Sequence, residues 1–367
     1  MHSNSDNDSL MARFLLPFLI AMVAALIMVL PMPQALALPV EGLYQEEISV
    51  ANQGDQERRR AYREAFARVI TKVTGERRWL EHSQIAPVLN NADRYVAEVV
   101  YQSATAGGQG GQLEVRFDQA LIDDLLHRAN IPVWDNNRAS VLLWVTVQEA
   151  DGRRLMLGSS SEHPLLEQAR AFADERAVPV LVPLLDLEDR RLVSPDQAWT
   201  LNTPALQQVA ARYDADSVLA GRILVTPTGE MVGFWQLIFR NDVQTFDHIS
   251  PVDSYMSLPL DTITSRLASH FGLVRSEVEG ENRISLRVDG INSLQSHVQL
   301  IQYLESLSVV QHVQLQALRP DSLELTLQVL GAPQVLTEFI TLGRDLEPVN
   351  FQPGQAVGTQ LHYRWTR

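Results

Sequence analysis

Seven consecutive residues, Val141 to Val147 ("VLLWVTV"), form the segment that most restricts the fold of this chain. Such an almost continuous apolar run is typical of a strand whose two faces are both covered, because a strand with one wet face alternates apolar and polar residues. Helical patterns at 164–176 and 204–213 separate it from strand patterns at 178–187 and 217–225, and meander strands follow. We therefore expect a central module over 139–274, built on a mixed α/β sheet.

The segments on either side predict two further modules and an overall α+β fold class. Residues 38–133 have the order βααββα, in which "GGQGG" at 107–111 is a hairpin loop. That loop lacks the lysine and the Ser/Thr of a phosphate-binding loop. Residues 281–367 have the order βαββαβ of a ferredoxin-like module. The sequence thus predicts three modules.

The N-terminus has the pattern of a signal peptide. A charge-free run from Phe14 to Leu30 follows Arg13, and Ala35-Leu36-Ala37 is an A-x-A cleavage site. We expect residues 1–37 to be removed and the protein to work in the periplasm. Met11 is an alternative start, because the ten residues before it contain acids and no lysine or arginine. A retained inner-membrane anchor formed by residues 14–30 is the alternative to cleavage.

Cysteine content and charge exclude several classes of protein. The chain has no cysteine and a formal net charge of −14. A lipoprotein anchor, disulfides and thiolate metal sites are therefore excluded. The acidic charge argues against nucleic acid as a partner, because phosphate is repelled. We also expect no cofactor.

Two local patterns raise the question of catalysis. Asp214 and Asp216 lie between a helical and a strand pattern. Two carboxylates alone are too few ligands for a typical divalent-ion site. We expect them to mark the helix-to-strand corner. The serines at 159–161 beside His163 lack the motif of a nucleophilic serine and are expected to be N-cap and loop residues. With no zinc-type histidine spacing either, the chain is predicted to have no catalytic and no metal site, although scattered carboxylates are not excluded.

The densest positive charge lies on the long N-terminal helix, whose apolar face carries Tyr62, Phe66 and Val69. Seven basic residues there form what we call the basic strip: Arg58, Arg60, Arg63, Arg68, Lys72, Arg77 and Arg78. The basic strip is a candidate contact for an acidic envelope partner, anionic lipid headgroups or lipopolysaccharide. The sequence favours the other interpretation, a solvated face whose charges pair with acids of the same segment, namely Glu57, Glu64 and Glu76.

The residues of this helix resemble an exported bacterial family, domain of unknown function 2066. The similarity lies in "AYREAFARVITKVTGERRWLE" at 61–81 and in Arg94-Tyr95-Val96, and it implies export without a known activity. The matching residues before that tripeptide are Arg58, Ala61, Arg63, Glu64, Ala65, Val69, Lys72, Val73, Thr74 and Gly75. A second segment, "VAARYDADSVLAGRI" at 209–223, is similar to a corner of envelope assembly proteins related to the curli secretion factor and the Tol–Pal β-propeller protein. That likeness implies binding of other envelope proteins.

Together these observations predict an exported protein of a Gram-negative cell envelope. Its expected role is that of a non-catalytic periplasmic binding or assembly adaptor, with envelope proteins as partners. The alternative is a carboxylate-based envelope hydrolase acting on glycans, which requires two acids about 5 to 9 Å apart in a cleft. The sequence leaves the oligomeric state open.

Overall fold

The computed structural model describes residues 40, 42–103, 110–274, 281–330, 333–349 and 360–366. Helices and strands form a mixed α/β structure with three sheets in these ranges, and this coarse prediction is confirmed. Residues Pro39–Arg367 cluster into one compact unit. The predicted signal segment at 1–37 and the loop residues 107–109 lie outside the described residues.

The first sheet has three antiparallel strands in the order β1-β3-β2. The strands are Gln45–Val50 (β1), Val96–Ser103 (β2) and Gly111–Phe117 (β3). The helices of this part are Asp55–Thr74 (α1), the 3-10 helices Arg77–Glu81 and Val88–Tyr95, and Gln119–Arg128 (α2). Because β2 and β3 pair antiparallel from Ser103 and Gly111 outwards, the predicted hairpin is confirmed.

The second sheet has the order β5-β4-β7-β8-β9, and β6 pairs with β4. Its strands are Val141–Gln148 (β4), Arg154–Leu157 (β5), Val180–Leu181 (β6), Ser217–Val225 (β7), Glu230–Phe239 (β8) and Asp242–Pro251 (β9). Its helices are Pro164–Arg176 (α3), Leu187–Leu192 (α4), Pro195–Trp199 (α5), Thr203–Arg212 (α6) and Ser257–Phe271 (α7), with a 3-10 helix at Val252–Ser254. β7 runs parallel to β4, whereas β8 and β9 continue as an antiparallel meander.

The strand predicted at 178–187 is largely wrong. Only Val180–Leu181 pairs with β4 there, and the chain continues into α4 and α5. Pro179 and Pro183 flank the pair and have no N–H to donate to a ladder. Asp186 and Ser194 then begin the two short helices by accepting hydrogen bonds from backbone N–H groups.

The third sheet has the order β11-β12-β10-β14-β13. The elements are Glu281–Asp289 (β10), Leu294–Ser306 (α8), Val310–Leu318 (β11), Ser322–Leu330 (β12), Pro333–Gly343 (α9), Leu346–Pro348 (β13) and Gln360–Trp365 (β14). The predicted order βαββαβ lacks β13, which is too short, at three residues, to show an alternating pattern. The chain reverses direction between β13 and β14, which pair antiparallel. After this reversal the last strand, β14, runs parallel to β10.

Strand β4 divides the apolar interior of the central region. Its odd-numbered residues, such as Leu143 and Val145, belong to one buried cluster, and Leu142 and Trp144 belong to another. The prediction that both faces of this strand are covered is confirmed, since Val141–Val147 is buried throughout. The first cluster continues into the third sheet, whereas the first sheet and α1 have a cluster of their own.

Candidate functional site

Three of the seven residues of the basic strip are paired with acids one helical turn away. Arg58 bonds Asp55 at 2.7 Å, and Arg68 bonds Glu64 at 2.6 Å. Arg60 also donates to Glu64, at 2.7 Å. Charges three or four residues apart on a helix face each other, so local spacing alone produces these pairs. Exposed pairs of this kind stabilise a fold by about 0.2 to 1 kcal/mol at most.

Two members of the basic strip cover the edge of strand β1. Arg60 Nη2 donates to the carbonyl of Ser49 at 2.7 Å, and Lys72 Nζ reaches the carbonyl of Gln45 at 3.5 Å. Lys72 also forms an ion pair with Glu46, whose side chain is 8% exposed. Backbone acceptors that would otherwise remain unpaired are therefore occupied by side chains of α1.

The last two members of the basic strip lie beyond the end of α1. Arg77 donates through Nε to Glu175 of α3 at 2.7 Å. Arg78 pairs with Glu76 at 2.8 Å, and its guanidinium lies 4.6 Å from the centre of the Trp79 ring. Arg77 therefore joins the N-terminal segment to α3, which local sequence spacing does not reveal.

Arg63 is the exception in the basic strip. It is exposed, and within the described residues it makes no hydrogen bond and no ion pair. The same holds for Arg59, one helical turn earlier, which is not a member of the basic strip. Both line a cleft of about 290 Å³ between α1 and the 3-10 helix Val88–Tyr95. The signal for this site was available in the sequence, since no acid lies three or four residues from Arg63.

A buried arginine connects the helix ends near this region. Arg138 donates to the carbonyls of Lys72, Trp134 and Arg176 at 2.6, 2.9 and 3.0 Å, and it stacks 4.4 Å from the Trp134 ring centre. Burial lowers the pKa of Arg138 to about 9. Lys72 and Arg176 lie in the last turns of α1 and α3, where carbonyls carry partial negative charge. Arg138 therefore has a structural role at these two helix ends.

Two larger clefts contain several acids, of which Glu46, Glu175 and Asp135 are already engaged. One, of about 870 Å³, lies beside β1, α1 and α3 and includes Glu46 and Glu175, the partners of Lys72 and Arg77. The other, of about 800 Å³, includes Asp135 between α2 and α8. Burial raises the pKa of Asp135. Its two carboxylate oxygens accept backbone N–H bonds from Ser308 and Asn137, both at 3.0 Å.

Asp214 and Asp216 occupy the predicted corner between α6 and β7. Asp214 has a φ of 53°, and the bonds from its N–H to Ala211 and from Ala215 to Ala210 close the helix with a Schellman motif. Asp216 Oδ2 accepts from the N–H and hydroxyl of Ser140 at 2.7 and 2.8 Å, and Arg344 lies 2.9 Å from Asp214 and 3.4 Å from Asp216.

The segment at 159–163 differs in one respect from its prediction. His163, and not a serine, is the N-cap of α3, and its Nδ1 accepts from the N–H of Leu165 at 3.2 Å. The hydroxyl of Ser161 accepts from the N–H of Gly158 at 3.0 Å. A neutral imidazole can accept this bond as an asparagine does, so the proline at the first helical position does not require a serine before it.

The sequence also raised the possibilities of a membrane-spanning segment and of a metal site. No helix in the ranges that the structure describes is long and apolar enough to cross a membrane. The same ranges contain no group of three or more His, Asp or Glu side chains placed to hold a metal ion.

A family model matches the N-terminal part of the chain. Residues 37–135, which is less than half of the chain and contains the whole basic strip, match a family described as "Domain of unknown function (DUF8605)". The resemblance to domain of unknown function 2066 is therefore wrong, because a different family model matches the residues on which it rested. No finding supports the likeness of 209–223 to curli-secretion or Tol-type proteins either.

The other comparisons add little. No curated protein matches the chain. One solved structure, described as "Crystal structure of uncharacterized protein", is similar to the chain at 10% identity, with 36% of this chain and 87% of that chain covered and a TM-score of 0.12. A similarity this low carries no argument about fold or function.

Proposed function

We propose that the chain is a non-catalytic binding protein of the bacterial cell envelope, which works in the periplasm and binds an extended segment of an envelope protein. One observation carries this proposal. Strand β9, Asp242–Pro251, is a ten-residue sheet edge with an unbroken register and a single proline, at its last residue. An open edge of this kind can accept a further strand from a partner, because its outward N–H and C=O groups have no ladder partner.

Each of the other sheet edges is short, covered or irregular. Strand β1 is covered by Arg60 and Lys72. Strands β5, β6 and β13 have four, two and three residues, and β13 ends in Pro348. The register of β2 shifts between Val96 and Glu98, and that of β11 shifts twice. Short strands, prolines and bulges all hinder the addition of another strand.

Strand β9 is long, and its one proline, Pro251, is the last residue of the strand. Its register with β8 runs without a shift from Asp242 to Pro251, and it contains no lysine or arginine. Val243 and Ile249 are 41% and 62% exposed. In the described part of the chain, one hydrogen bond reaches its backbone from outside the ladder, from Tyr255 Oη to the carbonyl of His248 at 3.4 Å. The edge is therefore long, regular and partly apolar.

The test compares two exposed apolar residues on edge strands. Replacing Ile249 of β9 by lysine places a charge on the proposed docking edge, and Leu315→Lys makes the same change on β11, where the leucine is 46% exposed. After crosslinking in cells, we expect the wild type and Leu315→Lys to recover the same envelope protein. Ile249→Lys should lose at least about tenfold of it, equivalent to 1.4 kcal/mol. Equal recovery by the two variants, both shown to be folded, would reject the β9 edge as the contact.

Two finer features belong to the same proposal. We infer a division into three modules, 38–133, 139–274 and 281–367, each with one sheet, in which the second and third share a continuous apolar cluster. We also infer cleavage after Ala37. N-terminal sequencing of the exported protein should then begin at Leu38, whereas a retained 14–30 segment would support the inner-membrane alternative.

The engaged acids of the two larger clefts do not favour a glycan hydrolase. The acid with a raised pKa in a large cleft, Asp135, uses both carboxylate oxygens to accept backbone N–H bonds. Glu46 and Glu175 in the other cleft are paired with cations. A general acid must instead face the bond that it protonates.

A further inference from the structure

We propose that the cleft containing Arg59 and Arg63 binds a phosphate group, as a free phosphomonoester or as part of a lipid headgroup. The two arginines are four residues apart on α1 and point to one side of the helix. Each is exposed, and neither has a hydrogen-bond or ion-pair partner among the described residues. This site lies apart from β9 and is independent of the function proposed for that strand.

The surrounding helix shows why these two arginines differ from their neighbours. Their neighbours in the basic strip, Arg58, Arg60 and Arg68, each have an acid three or four residues away and are bonded to it. Asp55, four residues before Arg59, bonds Arg58 instead, and no acid lies three or four residues from Arg63, so the two arginines have only each other at that spacing. Like charges four residues apart repel and destabilise a helix, so a bound anion between them relieves a repulsion present in the free protein.

The lining of the cleft supplies donors for an anion. Besides the two arginines, Gln56, Asn90 and Tyr62 line it, and these residue types carry amide N–H or hydroxyl donors. One acid, Asp93, lines the cleft as well, and no ion pair joins it to either arginine within the described residues. Arg60 is also present, with its charge shared between Glu57 and Glu64. The local charge is therefore positive, on a chain whose net charge is −14.

Size and geometry favour phosphate over a larger ligand. The cleft of about 290 Å³ is large enough for one hydrated phosphate group. Guanidinium groups bind phosphate oxygens through two parallel N–H bonds, and a dianionic phosphoester can accept from two such groups together. Because the cleft is open to solvent, the rest of a phosphorylated molecule can extend away from it.

The test uses two double variants of the full chain. Arg59→Gln with Arg63→Gln removes the proposed ligands, and Arg58→Gln with Arg68→Gln removes the same charge from the same helix at ion-paired positions. Inorganic phosphate is titrated by calorimetry at low ionic strength. We expect the wild type and the Arg58/Arg68 variant to bind, and the Arg59/Arg63 variant to lose about tenfold or more in affinity, as expected for loss of charged hydrogen bonds.

A second arm identifies the source of the phosphate. Vesicles of phosphatidylcholine with and without phosphatidic acid are sedimented with each protein. Arginine-dependent binding to the anionic vesicles in addition to free phosphate indicates a lipid headgroup, and binding to free phosphate alone indicates a soluble phosphomonoester. The proposal is overturned if the wild type binds neither probe, or if the two double variants, both with the wild-type circular dichroism spectrum, lose binding equally.

Discussion

Replacing Gly75 by alanine tests how the end of α1 packs against the central region. Gly75 is the C-cap of α1, with a φ of 75°, and its carbonyl accepts from Arg176 Nη1 at 2.9 Å. A Cβ atom at this position would lie 2.8 Å from Cβ of Ala268 and 2.9 Å from Cε3 of Trp134. Both neighbours are buried, so neither can move aside without disturbing the core.

Gly75→Ala should lower the free energy of unfolding for two reasons. Holding alanine in the left-handed region costs about 1 kcal/mol. Forcing an extra methyl group into a filled core costs about 1 to 3 kcal/mol more. Gly152→Ala is a matched control, because Gly152 has a φ of 85° and nothing within 4 Å of its added Cβ. The control therefore isolates the backbone cost, and the difference between the two variants measures the packing cost.

Urea unfolding followed by tryptophan fluorescence is a suitable assay, since Trp134 lies at the contact. With an m-value of about 3 kcal/mol/M, a loss of about 3 kcal/mol lowers the urea midpoint by about 1 M, and a loss of about 1 kcal/mol lowers it by about 0.3 M. Equal midpoints for Gly75→Ala and Gly152→Ala would refute the reasoning, because they would show that the methyl group meets no packed neighbour.

Two further predictions concern the helix ends. Asp216→Ala leaves the N–H and hydroxyl of Ser140 without their acceptor and should lower the free energy of unfolding in urea by about 1 to 3 kcal/mol. Asp214→Ala, at a side chain that is 71% exposed, should lower it by less than about 1 kcal/mol. Equal losses would contradict the structural role given to Asp216. Burial lowers the pKa of His163, so unfolding takes up a proton as pH falls through about 6.5, and stability present above that pH is lost below it. His163→Asn keeps a capping acceptor and should lose less stability than the wild type between about pH 7.5 and pH 5.5; an unchanged loss would show that His163 does not titrate with folding.

Charge spacing on α1 shows how far sequence reasoning extends to the candidate site. The pairs of Arg58, Arg60 and Arg68 follow from acids three or four residues away, and the same rule leaves Arg63 free. The rule does not predict the state of Arg59, because Asp55, four residues before it, bonds Arg58 instead, and only the structure shows which arginine that acid takes. The bond from Arg77 to Glu175 spans 98 residues and has no local signal.

Strand prediction failed where an element was short. The three residues of β13 and the two of β6 are too few to show a period of two. Each strand is recognised only by its pairing, β13 with β14 and β6 with β4. Long elements with a clear apolar period are easier to predict from sequence. Strand β4 and helix α1 were predicted correctly, because their burial follows directly from the order of apolar residues.

The sequence by itself determined the local elements: the buried strand at 141–147, the helix that ends at Gly75 and the corner at Asp214 and Asp216. Each follows from side-chain periodicity or backbone conformation within about one element. The tertiary structure alone decided that Arg60 and Lys72 cover β1 while the edge of β9 stays open. Whether a strand edge is covered depends on which other segments of the chain pack beside it. The residues of the strand alone do not specify those segments.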